Sequence, residues 1–172
     1  MRYNGYYLPC LYEKGHMAEI EYTVTDRHGL DLIAPLWRKL LEHHAGRSIH
    51  FSEQMAAMTY EERKNQLIEK SHDGELRIDL AHDKEADKLI GYCIGTISED
   101  RRGEVESIYV EPDYRRAGVA DIMLRRCLAW MEEKSVRKKV LVIAVGNEEV
   151  MPLYERHAFF PRAIIMEQVE DG

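Results

Sequence analysis

The stretch Glu106–Asp121, ESIYVEPDYRRAGVAD, holds the residues whose types and order most directly suggest chemistry. A short apolar strand runs into a proline, then Arg115 and Arg116, then Ala117 and Gly118. Val119, Ala120 and Asp121 follow as the start of a long amphipathic pattern. The first amides of a helix have no acceptor within it, and the helix dipole adds positive potential there. A loop of this kind is a receptor for an anion, usually a phosphate. Gly118 and Ala120 keep side chains out of the way of its approach. Two other phosphate loops are excluded: no Gly-Lys-Ser or Gly-Lys-Thr follows, as a mononucleotide loop needs, and the three-glycine dinucleotide pattern is absent.

The elements that position this loop follow from periodicity. Ile20, Tyr22 and Val24 alternate with Glu19, Glu21 and Thr23, which predicts a half-buried strand over 18–25. Leu30, Ile33, Trp37, Leu40, Leu41 and His44 recur at spacings of three and four, the apolar face of a helix. Thr59 and Glu62 have capping-box spacing and open a second helix to about Lys70; the segment RSIHFSEQMAAM before it is ambiguous. From Asp73 a two-residue period returns in three consecutive antiparallel strands, DGELRIDLAHD, KLIGYCIGTIS and EVESIYVEP. The third helix spans about Gly118 to Lys134. Six consecutive apolar residues, Val140 to Val145, then predict a strand covered on both faces in the middle of a sheet, parallel to the strand before the helix. A short helix in MPLYERHAFF and a last strand, RAIIMEQVE, complete an α/β chain with a mixed sheet.

Bulk properties narrow the function. The 172 residues are 45% apolar and 32% charged, which suits one core rather than two: residues 18–172 as a single domain behind an aromatic arm at 1–17. A formal charge of −7 argues against nucleic-acid or anionic-membrane surfaces and favours a cationic acceptor or basic partner. Cys10, Cys93 and Cys127 lie in unrelated contexts, which points to a reducing compartment, expected to be the cytoplasm. No apolar run approaches the ~20 residues of a membrane span. The histidines, His43, His44, His50, His72, His82 and His157 among them, lack metal spacing and read as surface or capping residues; no metal is expected.

With those elements in place, SIYVEPDYRRAGVADIMLRRCLAWM resembles the cofactor-binding motif of the GCN5-related N-acetyltransferase superfamily. Its signature, Gln or Arg, two residues, Gly, one residue, then Gly or Ala, is filled by Arg115, Gly118 and Ala120. The element order resembles that family over roughly 18–169, and the resemblance implies a mostly antiparallel central sheet with a parallel splayed pair and helices on both faces. It also implies acetyl-CoA as cosubstrate. The amides from Arg116 through Ala117, Gly118, Val119 and Ala120 to Asp121 would hold the pyrophosphate, and backbone groups of Ile108, Tyr109 and Val110 would pair with the pantetheine arm. Asn147 would contact that arm. Asp121 departs from an all-neutral cradle: its carboxylate either faces the phosphates or points away and stabilises the helix start. Ala158 stands where the family commonly has glycine.

Moving an acyl group from a thioester to an amine needs a neutral amine, a stabilised oxyanion and a proton for the departing thiolate. Tyr154 matches the family tyrosine in position, and a phenol of pKa near 10 suits a donor to a thiolate of pKa about 8.5. The carboxylate that some family members carry five residues before the asparagine is Val142 here, so Glu106 is the expected base, with Glu104 as its competitor. These residues imply an acetyl-CoA-dependent N-acetyltransferase acting on a small-molecule or protein amine by direct attack in a ternary complex. A homodimer is compatible with that reading. The alternative is a catalytically silent acyl-CoA-binding module.

Overall fold

The computed structural model describes residues 10–11 and 17–168. Most of the arm at 1–17 and the end of the expected last strand lie outside them. Cys10–Leu11 (β1) and Met17–Ala18 (β2) pair antiparallel as a two-residue ladder.

The main sheet has five strands in chain order: β3 (Ile20–Thr25), β4 (Glu75–Asp83), β5 (Lys88–Ile97), β6 (Arg102–Val110) and β7 (Lys138–Leu141). All neighbours are antiparallel except β6 and β7. The two-residue period therefore sets two faces. On one, Leu76, Ile78 and Leu80 of β4 join Tyr92, Ile94 and Tyr109 beneath α1 (Leu30–Ala45) and α3 (Tyr60–Lys70). On the other, Ala81, Cys93, Ile97 and Val105 pack under α4 (Val119–Glu133), whose Met123, Leu124, Cys127 and Met131 are fully buried. Gly95 allows that approach, because a β-carbon there would lie 2.5 Å from the Cys127 sulfur.

The helix ends follow local chemistry. Thr59 and Glu62 form the expected capping box, with Glu62 N donating to Thr59 Oγ1 at 3.2 Å and Thr59 N donating to the Glu62 carboxylate at 2.8 Å. The ambiguous segment before it forms α2 (Ser52–Ala57), one and a half turns with no buried residue. Asp79, fully buried on β4, accepts two hydrogen bonds from Arg77 and one from Arg126 of α4, which ties helix to sheet.

Two expectations about the second half change. β7 is the edge of the sheet, not its middle, and only Lys138–Leu141 pair with β6; Val142 and Val145 are 72% and 75% exposed. The apolar run signals a need for cover on the strand's faces and does not say where in the sheet the strand stands; among the described residues β7 has a neighbouring strand, β6, on one side only. Residues 161–168 form no strand. The fifth helix, α5 (Met151–Glu155), forms as expected, with Pro152 in its first turn, where it removes no helical hydrogen bond.

Candidate active site

The site begins at an irregularity in β6. The β5–β6 register shifts between Ile94 and Gly95: Ile94 faces Ser107 while Gly95 faces Val105, which leaves Glu106 as the extra, bulged residue. The parallel pairing with β7 ends at Val105 opposite Leu141, immediately before the bulge. Beyond it, Ser107 to Val110 pair with β5 on one side and, among the described residues, with no strand on the other. A narrow cleft opens in this splay, lined by Leu40 and His44 of α1, Glu106, Ser107 and Ile108 of β6, Val142 to Ala144 after β7, and Asn147, Val150 and Tyr154. A larger cavity of about 610 Å³ lies around Trp37, Leu41, Met58 and Tyr60 and shares no residue with this cleft. We place the chemistry in the narrower one, because it combines titratable side chains with an unpaired strand edge.

At the far end of β6 the loop takes the shape that anion binding needs. Arg116 (φ +64°) and Gly118 (φ +80°) both occupy the left-handed region, and no side chain caps α4. The Gly118 carbonyl accepts from Ile122 N at 3.0 Å, so the amides of Val119, Ala120 and Asp121 precede the helical ladder. A β-carbon at Gly118 would meet nothing within 4 Å, so glycine is required here by its dihedral and not by crowding. Arg115 folds back, with Nε donating to the Val110 carbonyl at 3.0 Å and the guanidinium 5.7 Å from the Tyr109 ring centre. Asp121 points toward α5: its carboxylate meets His157 Nε2 at 2.9 Å and Arg125 Nε at 3.1 Å.

The strand residues divide their roles. Tyr109 sends its ring into the core against Tyr92 and its hydroxyl to Glu111, so only its backbone is left for a ligand. Val110 is buried, and Ile108 is half-buried on the cleft wall.

The Glu106 carboxylate is 3% exposed and accepts from Thr96 Oγ1 at 2.6 Å, Lys70 Nζ at 2.6 Å and Arg63 at 3.0 Å. Burial alone would raise its pKa, but Lys70, Thr96 and Arg63 outweigh burial and hold it below the ordinary value. Glu104, the competing carboxylate, also pairs with Lys70, at 2.9 Å. Tyr154 is buried, with its ring edge-on to Phe159, and burial pushes its phenol well above 10. It stays protonated across the physiological range.

Histidine 44 is the residue that sequence reasoning set aside. It occupies the cleft, with its Nε2 3.4 Å from Asn147 Nδ2, and burial followed by His43 and Arg47 lowers its pKa. The available signal was a titratable side chain four residues beyond Leu40 on the buried stripe of α1.

Comparison with known proteins fits this geometry. Residues 36–159 match the model of the acetyltransferase (GNAT) family. The chain belongs to that family. A curated relative, mycothiol acetyltransferase of Propionibacterium freudenreichii, is 32% identical over 114 residues; the match covers 64% of this chain and 36% of the relative, so the chain spans about a third of its length. Among solved structures, a GCN5-related N-acetyltransferase of Ralstonia eutropha superposes with a TM-score of 0.66 at 19% identity, over 87% of this chain and 98% of that one. PaiA N-acetyltransferase of Thermoplasma acidophilum, solved in complex with coenzyme A, gives 0.60 at 18% identity over 81% and 88%. At these identities the two solved structures speak for the GNAT fold alone. Among the described residues no helix is long and apolar enough to cross a membrane.

Proposed function

We propose that the protein is an acetyl-CoA-dependent N-acetyltransferase acting on an amine by direct attack in a ternary complex. The observation that carries the reading is the cleft in the splay of β6 and β7, bordered by the unpaired edge of β6 beyond Val105 and by the buried phenol of Tyr154. The uncapped, left-handed start of α4 follows the far end of that same strand. The chain's groups fit coenzyme A: open space above Gly118 beside the free amides of 119–121 suits a pyrophosphate, and the Glu106–Val110 edge suits an arm carrying amides. When bound, acetyl-CoA supplies the activated acetyl group as a thioester.

The chain's own residues supply the rest. Amides near Val110 polarise the acyl carbonyl. Tyr154 holds a proton in the cleft for a departing thiolate, and burial keeps the phenol in its protonated form. Asn147, at the mouth of the splay, serves as a contact for the arm and holds His44. Of the two candidate proton acceptors, Glu106 is neutralised by Lys70 and Arg63, whereas His44 is uncharged near pH 7 and faces the cleft. His44 is therefore the better base, acting directly or through a water. Asp121 acts from the side, joining the first turn of α4 to the turn that follows α5, the helix that carries Tyr154. The acceptor is an amine of a small molecule or a protein, and the acidic chain favours a cationic one.

The locked carboxylate of Glu106 favours a second reading, a silent acyl-CoA-binding module. Thiol release from acetyl-CoA over a broad panel of amines separates the two. Turnover that Tyr154→Phe abolishes while cofactor binding persists supports the enzyme; cofactor binding with no thiol release from any amine supports the module.

A further inference from the structure

Among the described residues, two buried side-chain oxygens have no hydrogen-bond partner, the hydroxyls of Tyr92 and Ser107. They are neighbours. Ser107 pairs with Ile94 and Tyr109 with Tyr92, so Ser107 and Tyr92 stand diagonally on the sheet face beneath α1 and α3, within reach of a phenol. Tyr92 has no exposure; burial pushes its phenol up, and Ser107, then Arg63, pull it part of the way back. A buried hydroxyl without a partner is costly, and two side by side call for an occupant.

Ser107 is where this pair meets the active site. It lines the cleft in the splay of β6 and β7 together with His44 and Asn147, whereas Tyr92 lies behind it in the core. The other polar groups of the wall are committed: Glu106 to Thr96, Lys70 and Arg63, and Asn147 to His44. The back of the cleft therefore holds two O–H groups with nothing to donate to. A serine hydroxyl turns about χ1 and about its own C–O bond, so its proton can be aimed into the cleft without moving the strand.

We propose that Ser107, backed by Tyr92, recognises an oxygen on the acceptor, so that the amine acetylated here carries a hydroxyl or carbonyl oxygen close to its nitrogen, as a 1,2-amino alcohol or an α-amino amide does. The inference rests on the acetyltransferase reading given above. Ser107 donates to that oxygen and accepts from the Tyr92 hydroxyl, which leaves neither unpaired. The nitrogen is then held on the His44 side, and the separation is short because Ser107 and His44 border the same narrow cleft. An alkyl amine of the same shape gives the hydroxyls no partner, and a site built around a hydrogen bond rejects the analogue that lacks it.

Thiol release from acetyl-CoA with two matched pairs of amines tests this: 2-aminoethanol against propylamine, and glycinamide against 2-methylallylamine. The quantity read is the ratio of kcat/KM within a pair, and the change in that ratio on substitution cancels differences in amine basicity. In at least one pair Ser107→Ala is expected to lower the preference for the oxygen-bearing amine by ~10-fold, with Tyr92→Phe acting in the same direction. Ser107→Thr, which keeps the hydroxyl, should keep the preference. The pair that responds tells a hydroxyl from a carbonyl. A loss shared equally by both amines marks a purely structural role, and unchanged ratios mark hydroxyls satisfied by an internal water only; either result overturns the proposal while acetyl transfer stands. If no amine releases thiol, calorimetry on the coenzyme A-loaded chain decides. Binding of 2-aminoethanol or glycinamide that Ser107→Ala weakens keeps the site and removes the enzyme reading; no such binding overturns both.

Discussion

At the scale of single residues, Tyr154 and His44 carry opposite electrostatic assignments from the same cause. Burial disfavours charge, which raises the phenol and lowers the imidazole, so a protonated phenol and an uncharged imidazole coexist near neutrality in one cleft. Tyr154→Phe is expected to lower kcat by ~10²–10⁴-fold while leaving the acetyl-CoA Kd nearly unchanged, read by thiol release and calorimetry. His44 also has a stability signature. Its folded pKa lies below the unfolded value of about 6.5, so the unfolded chain binds more protons at acid pH. Folding stability is thus fully present above about pH 6.5 and declines as pH falls through and below it. Denaturant titrations at pH 7.5 and 5.5 should show His44→Gln losing less stability between those values than the wild type. A third residue-scale prediction concerns Ala158, which sits at φ +60°. Ala158→Gly should relieve that strain and raise stability by up to about 1 kcal/mol, measured by urea unfolding.

At the scale of elements, the joints decide more than the helices do. Asp79 joins β4 to α4 through Arg77 and Arg126 and has no exposure of its own. Asp79→Ala would leave two arginines partly buried without their shared carboxylate. The loss expected for a fully buried pair, ~3–5 kcal/mol, is reduced here because both arginine side chains keep some solvent; a drop of about 2–3 kcal/mol in denaturant stability is expected. Most elements were legible in the sequence because their signals are local: the capping box at Thr59 and Glu62, the alternation in β4, the glycine before α4 and the stripe of α1. The β7 edge was not, since an apolar run states that a strand needs cover without saying what covers it. Asp121 left two orientations open because its partner His157 lies 36 residues away. Histidine 44 combined two properties that pattern reading separates, a place on the buried stripe and a titratable ring, and only the splay of β6 and β7 turns that place into a cleft.

At the scale of the whole molecule, the charge of −7 acts on encounter rather than on chemistry. The cations beside the cleft, Lys70 and Arg63 on Glu106 and Arg47 on Glu149, are already paired with carboxylates, so they add little attraction for an anion and little repulsion for a cation. An incoming polycationic amine therefore meets the field of the whole acidic chain, which salt screens over a Debye length of about 10 Å at 0.1 M and ~3 Å at 1 M. For a fixed acetyl-CoA concentration, kcat/KM for a dicationic amine is expected to fall several-fold between 50 mM and 500 mM salt. A monocationic amine of similar size should fall much less. The effect should appear in kcat/KM and leave kcat nearly unmoved, because screening alters how often the acceptor arrives and not the barrier once it has bound. Equal slopes for the two amines would mean that the net charge plays no part in choosing the acceptor.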